Sequence, residues 1–159
     1  MIYAGIGSRK TPTNVLIEMQ AFAALFAYNG HTLRSGHAQG ADTAFEVGHR
    51  SITFDNMQIY VPHETMPHWY LHAQKFHPAW DQCGPFAQRL HARNSAIMLG
   101  DCLDKPVDFV LCWTPNGGPT GGTGQALRIA KHHEIPVFNM FNEGWLINFT
   151  AFLKAKEPS

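Results

Sequence analysis

The chain has 159 residues, 45% hydrophobic and 15% charged, and its 12 basic and 12 acidic side chains leave a formal net charge of zero. This size suits one domain over residues 1–159, and the apolar content excludes a disordered chain. A membrane span would need about 18 consecutive apolar residues, a secretory leader a basic stretch running into an apolar one, and duplex binding by charge a basic excess; none is present.

Residues 2–6, Ile-Tyr-Ala-Gly-Ile, form a short apolar run that stops at Gly7 and predict a buried strand. Thr11-Pro12 reads as N-cap and first helical residue. Val15, Leu16, Met19, Phe22, Ala23 and Phe26 follow at helical spacing, and Asn29-Gly30 ends that helix. His31–Arg34 is a second strand, Ser35–Gly40 a thin loop, Asp42–His49 a second helix and Met57–Val61 a third strand. Residues 62–85 carry four prolines, four histidines and several aromatics without clean periodicity, and predict a loop with a helical turn that could serve as a lid. Phe86–Leu99 returns to helical spacing. Val107–Trp113 is the strongest strand; a Gly/Pro-rich loop to Gly122 follows, then a helix over Thr123–His133, a fifth strand over Pro136–Asn139 and a last helix over Trp145–Lys154. Short apolar strands alternating with helices predict an α/β domain: a mainly parallel, doubly wound Rossmann-like sheet of about five strands, flanked by helices. In such folds ligands bind beyond the carboxyl ends of the strands, where the glycine-rich segments of this chain fall.

Four segments carry chemistry. Gly5-Ile-Gly7-Ser8-Arg9 resembles the opening of a dinucleotide fingerprint and departs from it. Lys10 replaces the third glycine, and the second strand ends in Arg34-Ser35 instead of an acidic ribose ligand, so no NAD-type cofactor is expected. The turn still suits a phosphate: Gly7 lets the backbone approach, Ser8 donates, and Arg9 offers a two-pronged guanidinium. In the second segment Ser35, Gly36, Ala38 and Gly40 make a thin loop, and Asp42 starts a helix where the dipole favours a carboxylate. Asp42 is expected either to read a sugar or base or simply to start its helix. The third segment is Arg93-Asn94 on a helix. The fourth, Gly121-Gly122-Thr123-Gly124, opens directly into a helix whose free N–H groups can hold an anion without net charge. It is not a P-loop, since no Gly-Lys-Thr/Ser follows.

Together, Gly7-Ser8-Arg9, Ser35-Gly36-x-Ala38-x-Gly40-Ala-Asp42, Arg93-Asn94 and Gly121-Gly122-Thr123, followed by Ala130 and Ile135-Pro136-Val137, resemble the SLOG superfamily. That group includes the DNA-processing protein DprA, the Lonely-guy phosphoribohydrolases and many small phage proteins. The resemblance implies a nucleotide or nucleotide-derived phosphate ligand at these loops, with Arg9 and Arg93 on phosphate and the Thr123 helix receiving it. It also implies homo-oligomers, and the apolar C-terminal helix offers a contact. The chain departs from Lonely-guy enzymes where an acidic residue should follow the glycines: Ala126 and Arg128 stand there. Three functions therefore stay open. The leading one is a nucleotide-binding sensor, sequestering or processing protein, since zero net charge favours a small nucleotide over a polymer; the alternatives are a nucleotide N-glycosidase using Asp42 or Glu64 and a DprA-like module for single-stranded DNA. No catalytic residue is assigned.

Cys83, Cys102 and Cys112 are an odd number at spacings that match no zinc or redox pattern, which fits a reducing, cytoplasmic setting. Cys112 is expected in the core. Glu64, His68 and His72 would share a helix face as metal ligands can, but Pro67 interrupts the first pair, and no metal site is assigned. His68, Trp69 and Tyr70 could instead cap a base by stacking.

Overall fold

A computed structural model describes residues 1–158. Five strands alternate with six α-helices: β1 Ile2–Gly7, α1 Thr13–Tyr28, β2 Thr32–Ser35, α2 Ala41–Arg50, β3 Met57–Ile59, α3 Pro67–Phe76, α4 Pro85–Leu99, β4 Phe109–Trp113, α5 Gly121–His132, β5 Val137–Asn139 and α6 Trp145–Lys156. The strands form one all-parallel sheet in the order β3-β2-β1-β4-β5. The chain winds outward from β1 through β2 to β3, then crosses over to lay β4 on the other side of β1. The strand order thus reverses between β1 and β4, where Gly7 pairs with Trp113. Such a reversal opens a crevice at the carboxyl ends of the two strands. No helix among the described residues is long and apolar enough to cross a membrane.

Side-chain alternation along the strands divides the core between the two faces. Tyr3, Leu33, Phe109, Leu111 and Phe138 point to one face, against Met19, Ala23 and Phe26 of α1, Phe45 of α2 and Phe149 of α6. Ala4, Ile6, Val110 and Cys112 point to the other, against Ile97 and Met98 of α4 and Ala126, Ile129 and Ala130 of α5. Aromatic rings dominate the first face, with Tyr3 stacked on Phe109 at 5.5 Å between centroids and Phe109 5.2 Å from Phe149. Trp145 and Phe152 join this face, so the C-terminal helix spends its aromatics on the core.

Several boundaries differ from the sequence expectation for identifiable reasons. Pro12 is the N-cap of α1, with ψ 150°, and not its first helical residue. The Thr11 hydroxyl, expected to cap that helix, instead donates to the Ser8 carbonyl at 2.6 Å. The segment expected as a loop and lid holds the ten-residue helix α3. Pro67 opens it, where a missing N–H costs nothing. Trp69 packs on Ala92 and Ala96 of α4, and the Ala73 carbonyl accepts a bond from Gln125 of α5, so α3 forms an outer layer clamped to two helices. α5 begins at Gly121, two residues earlier than expected, making the glycine run its first turn.

Candidate functional site

Three of the four glycine- or arginine-bearing segments meet around the β1–β4 crevice, and the fourth ties them together. The loop after β1 is a self-braced turn. The Ser8 N–H donates to the Trp113 carbonyl at 3.0 Å, the Ser8 carbonyl accepts from the Thr11 N–H at 3.1 Å, and the Ser8 hydroxyl accepts from the Lys10 N–H at 3.0 Å. This turn leaves Arg9 and Lys10 exposed. Gly7 is required by space: a methyl there would lie 2.6 Å from the Ala41 Cβ and 3.0 Å from the Trp113 carbonyl.

The loop after β2 packs beneath that turn. Gly40 adopts φ 88°, a left-handed conformation, with the Arg9 Cα and the Ser8 carbonyl both 3.1 Å from where a Cβ would sit. Ser35 donates to the Gly5 carbonyl at 2.6 Å and so locks β2 to β1. Asp42, 4% exposed, accepts from the N–H groups of Gly36 at 3.2 Å and Ala38 at 3.4 Å. Its carboxylate braces its own loop from the first turn of α2. Arg93 reaches over from α4 and donates through Nη1 to the Gly36 carbonyl. Gly36 separates the two charges: a Cβ there would lie 2.7 Å from the Arg93 guanidinium carbon and 2.9 Å from the Asp42 Oδ2.

Burial decides the electrostatics of this pair. It pushes the Asp42 carboxyl up to about 6, although Arg93 and the two N–H bonds pull the other way. Burial likewise lowers the Arg93 pKa, opposed by Asp42. The Arg93 Nε is buried without a partner, so the guanidinium keeps donor capacity inside the site. Arg93, expected to meet a phosphate, is 7% exposed and holds the β2 loop; Arg9 and Lys10 are the cations on the open surface.

Asn94, adjacent in sequence, points elsewhere. Its amide donates to the Gly122 carbonyl at 2.9 Å, tying α4 to the start of α5. The Arg93-Asn94 pair therefore couples the β2 loop to the α5 N-terminus. Thr120 caps α5 with extended backbone and no side-chain bond. The first-turn N–H groups of an α-helix have no partner within it, and Gly121 and Gly122 are exposed while Thr123 is half-buried and Gly124 buried. Gly124 has no room for a side chain, because a methyl would run into the Pro119 carbonyl. At the ends of β4 and β5, Asn139 bonds the Thr114 hydroxyl at 2.6 Å, and half-buried Trp113 lies 6.0 Å from exposed Phe141.

The remaining candidates lie apart. His68 and Trp69 both bond the Asp101 carbonyl, at 2.6 and 2.9 Å, beside a cavity of about 530 Å³ lined also by Tyr60, Glu64 and Cys102. Trp69 is 5% exposed, so it is a packing residue of α3 and not a free stacking surface; Tyr70 bonds Thr65 at 2.9 Å. Glu64 ends a separate short turn, and His72 bonds Ser95 at 2.8 Å, so Glu64, His68 and His72 do not share one helix face. The fold instead brings together His77, Cys83 and His91, a trio whose spacing gives no warning because each comes from a different local element. A buried Glu46, bonded to His37 at 3.0 Å and Arg50 at 3.3 Å, also gave no sequence signal.

No family model matches the chain, and no curated protein matches it. Among solved structures it is similar to DNA processing protein A from Helicobacter pylori, described for its single-stranded DNA binding mode, with TM-score 0.57 and 16% sequence identity. The similarity covers 87% of this chain and 64% of that one, so this chain spans under two thirds of its neighbour's length. The two share a DprA-like, Rossmann-like fold.

Proposed function

We propose that the chain binds single-stranded DNA across the carboxyl ends of β1 and β4. The observation that carries this reading is the make-up of that surface. It combines exposed Arg9 and Lys10, the exposed glycines that start α5, and the Trp113–Phe141 pair. Cations and helix N–H groups take phosphates. Aromatic faces take bases of any identity, each worth about 1–3 kcal/mol. A nucleotide strand presents these two features in alternation. The neighbour's fold and its described binding mode support a DNA strand over other phosphate-bearing ligands. The zero net charge fits a footprint of only a few phosphates.

A nucleotide-type small ligand at the same loops is the second reading. It is favoured by the α5 N-terminus, which can hold one phosphate without any excess of basic side chains. Turnover of such a ligand would need a carboxylate at the α5 start. Asp42 is buried and braces its own loop, and Glu64 lines the cavity by β3. Competition separates the readings. A labelled oligothymidylate bound to the protein is challenged with mono-, di- and cyclic nucleotides. Under the DNA reading only oligonucleotides displace it at comparable concentration; displacement by a mononucleotide at equal concentration moves the conclusion to the small ligand.

A further inference from the structure

Away from the crevice, three side chains with metal-binding atoms converge where α3 hands over to α4. His77 is the residue that caps the C-terminus of α3, Cys83 follows the short turn Trp80–Gln82, and His91 lies two turns into α4. One ligand atom from each lies within 4.8 Å of those of the other two. The Cys83 sulfur is 3.7 Å from Nε2 and 3.8 Å from Nδ1 of His77. The His77 and His91 rings stand 4.2 Å apart between centroids.

We propose that His77, Cys83 and His91 form a binding site for a thiophilic transition-metal ion, with zinc the ion its geometry fits. Tetrahedral zinc with Zn–S of about 2.3 Å and Zn–N of about 2.05 Å requires a sulfur–nitrogen separation of about 3.6 Å. The observed 3.7 Å between the Cys83 sulfur and the His77 Nε2 matches that edge. The longest separation in the trio, bounded by 4.8 Å, needs closure by about 1 Å to reach the same value. His91 supplies a second, independent sign: it is 9% exposed, and its Nδ1 is buried with no hydrogen-bond partner. Native proteins rarely leave such an atom unsatisfied. His77 and Cys83 are half-buried, which leaves a path for an ion and a fourth position for water. Cys83 binds as thiolate and releases its proton to solvent.

Two guanidinium charges oppose the ion, Arg93 acting on His91 alone. Arg128 acts on both His77 and His91, and it is held in place by bonds to the Phe76 carbonyl at 3.0 Å and the Gln125 side-chain oxygen at 2.9 Å. A thiolate ligand offsets part of the ion's charge against this guanidinium. The role that follows is a clip. The ion closes two short loops, 77–83 and 83–91, and pins the connection between α3 and α4, in which no side chain is fully buried.

The 159-residue chain, stripped with a chelator, is titrated with Co²⁺ and then with Zn²⁺, using Cys83→Ser and His91→Gln as variants and His132→Ala as a control outside the trio. The expected result is one Co²⁺ per chain with the visible band of four-coordinate cobalt and a near-ultraviolet thiolate charge-transfer band. Zn²⁺ should displace it stoichiometrically. Cys83→Ser should lose the charge-transfer band and at least tenfold in affinity, while His132→Ala should leave both unchanged. Circular dichroism confirms that each variant is folded. A wild-type chain without the charge-transfer band, or a folded Cys83→Ser chain that binds as tightly as wild type, overturns the proposal.

Discussion

Asp42 is a carboxylate that the fold places at a cost. Its pKa rises from the ordinary 3.8 to about 6, because burial outweighs the help of Arg93 and two backbone N–H groups. An acid whose folded pKa is raised binds protons more readily in the native state. Its penalty is absent below the unfolded pKa and complete above the folded one. The difference of about two pKa units corresponds to about 3 kcal/mol at neutral pH. Asp42→Asn mimics the protonated acid, and its side-chain oxygen can still accept from Gly36 and Ala38. The variant should therefore gain stability relative to wild type as pH rises, with the gap widening by about 3 kcal/mol between pH ~4 and ~7. Urea unfolding at several pH values measures this gap. All other titrating groups are common to both proteins and cancel, and any fixed cost of the amide shifts the whole curve without tilting it. A stability difference that stays flat across that range refutes the assignment of Asp42 as a desolvated acid.

Other outcomes follow from the same contacts. Gly36→Ala puts a methyl 2.7 Å from the Arg93 guanidinium carbon and 2.9 Å from the Asp42 oxygen, and should cost about 1–3 kcal/mol in chemical denaturation. Gly48→Ala drives a methyl into the backbone of Gln20, where α2 meets α1, and should lower the thermal midpoint further than Gly36→Ala, because backbone yields less than a side chain. Asn94→Ala removes the bond to the Gly122 carbonyl and should cost about 1 kcal/mol of stability while speeding amide exchange at the start of α5. Arg9→Ala and Lys10→Ala touch no packed group and should shift stability by less than about 0.5 kcal/mol.

The sheet was legible because its strands are short apolar runs ended by glycine or proline, as at Ile2–Gly7 and Phe109–Trp113. Buried strands need nothing else, so composition alone marks them. Helix α3 was not legible. It buries only Trp69 and Ala73, too few for a helical stripe, and its histidines and prolines look like loop composition. The candidate site was legible as segments but not in its internal roles. Asp42 and Arg93 come to either side of Gly36 because the chain crosses from β3 over to β4 and carries α4 back against the β2 loop, a tertiary consequence that no local spacing encodes. The same crossover explains why Arg9 and not Arg93 faces outward. His77, Cys83 and His91 carry no spacing signal for a similar reason: they gather only where α3 packs against α4.

The proposed ligand is a nucleic-acid strand held at the turn after β1 and the start of α5. Fluorescence anisotropy of a labelled oligothymidylate, followed across a salt series for wild type and for the Arg9→Ala/Lys10→Ala double variant, tests it most directly. Wild type should bind saturably at low salt, with log K falling against log salt at a slope of about −1.4 to −2, the value for two or three single-strand phosphates. The double variant should bind at least tenfold more weakly and with a shallower slope. Wild type that leaves the anisotropy unchanged at low salt, or a double variant with the same affinity and slope as wild type, contradicts the account.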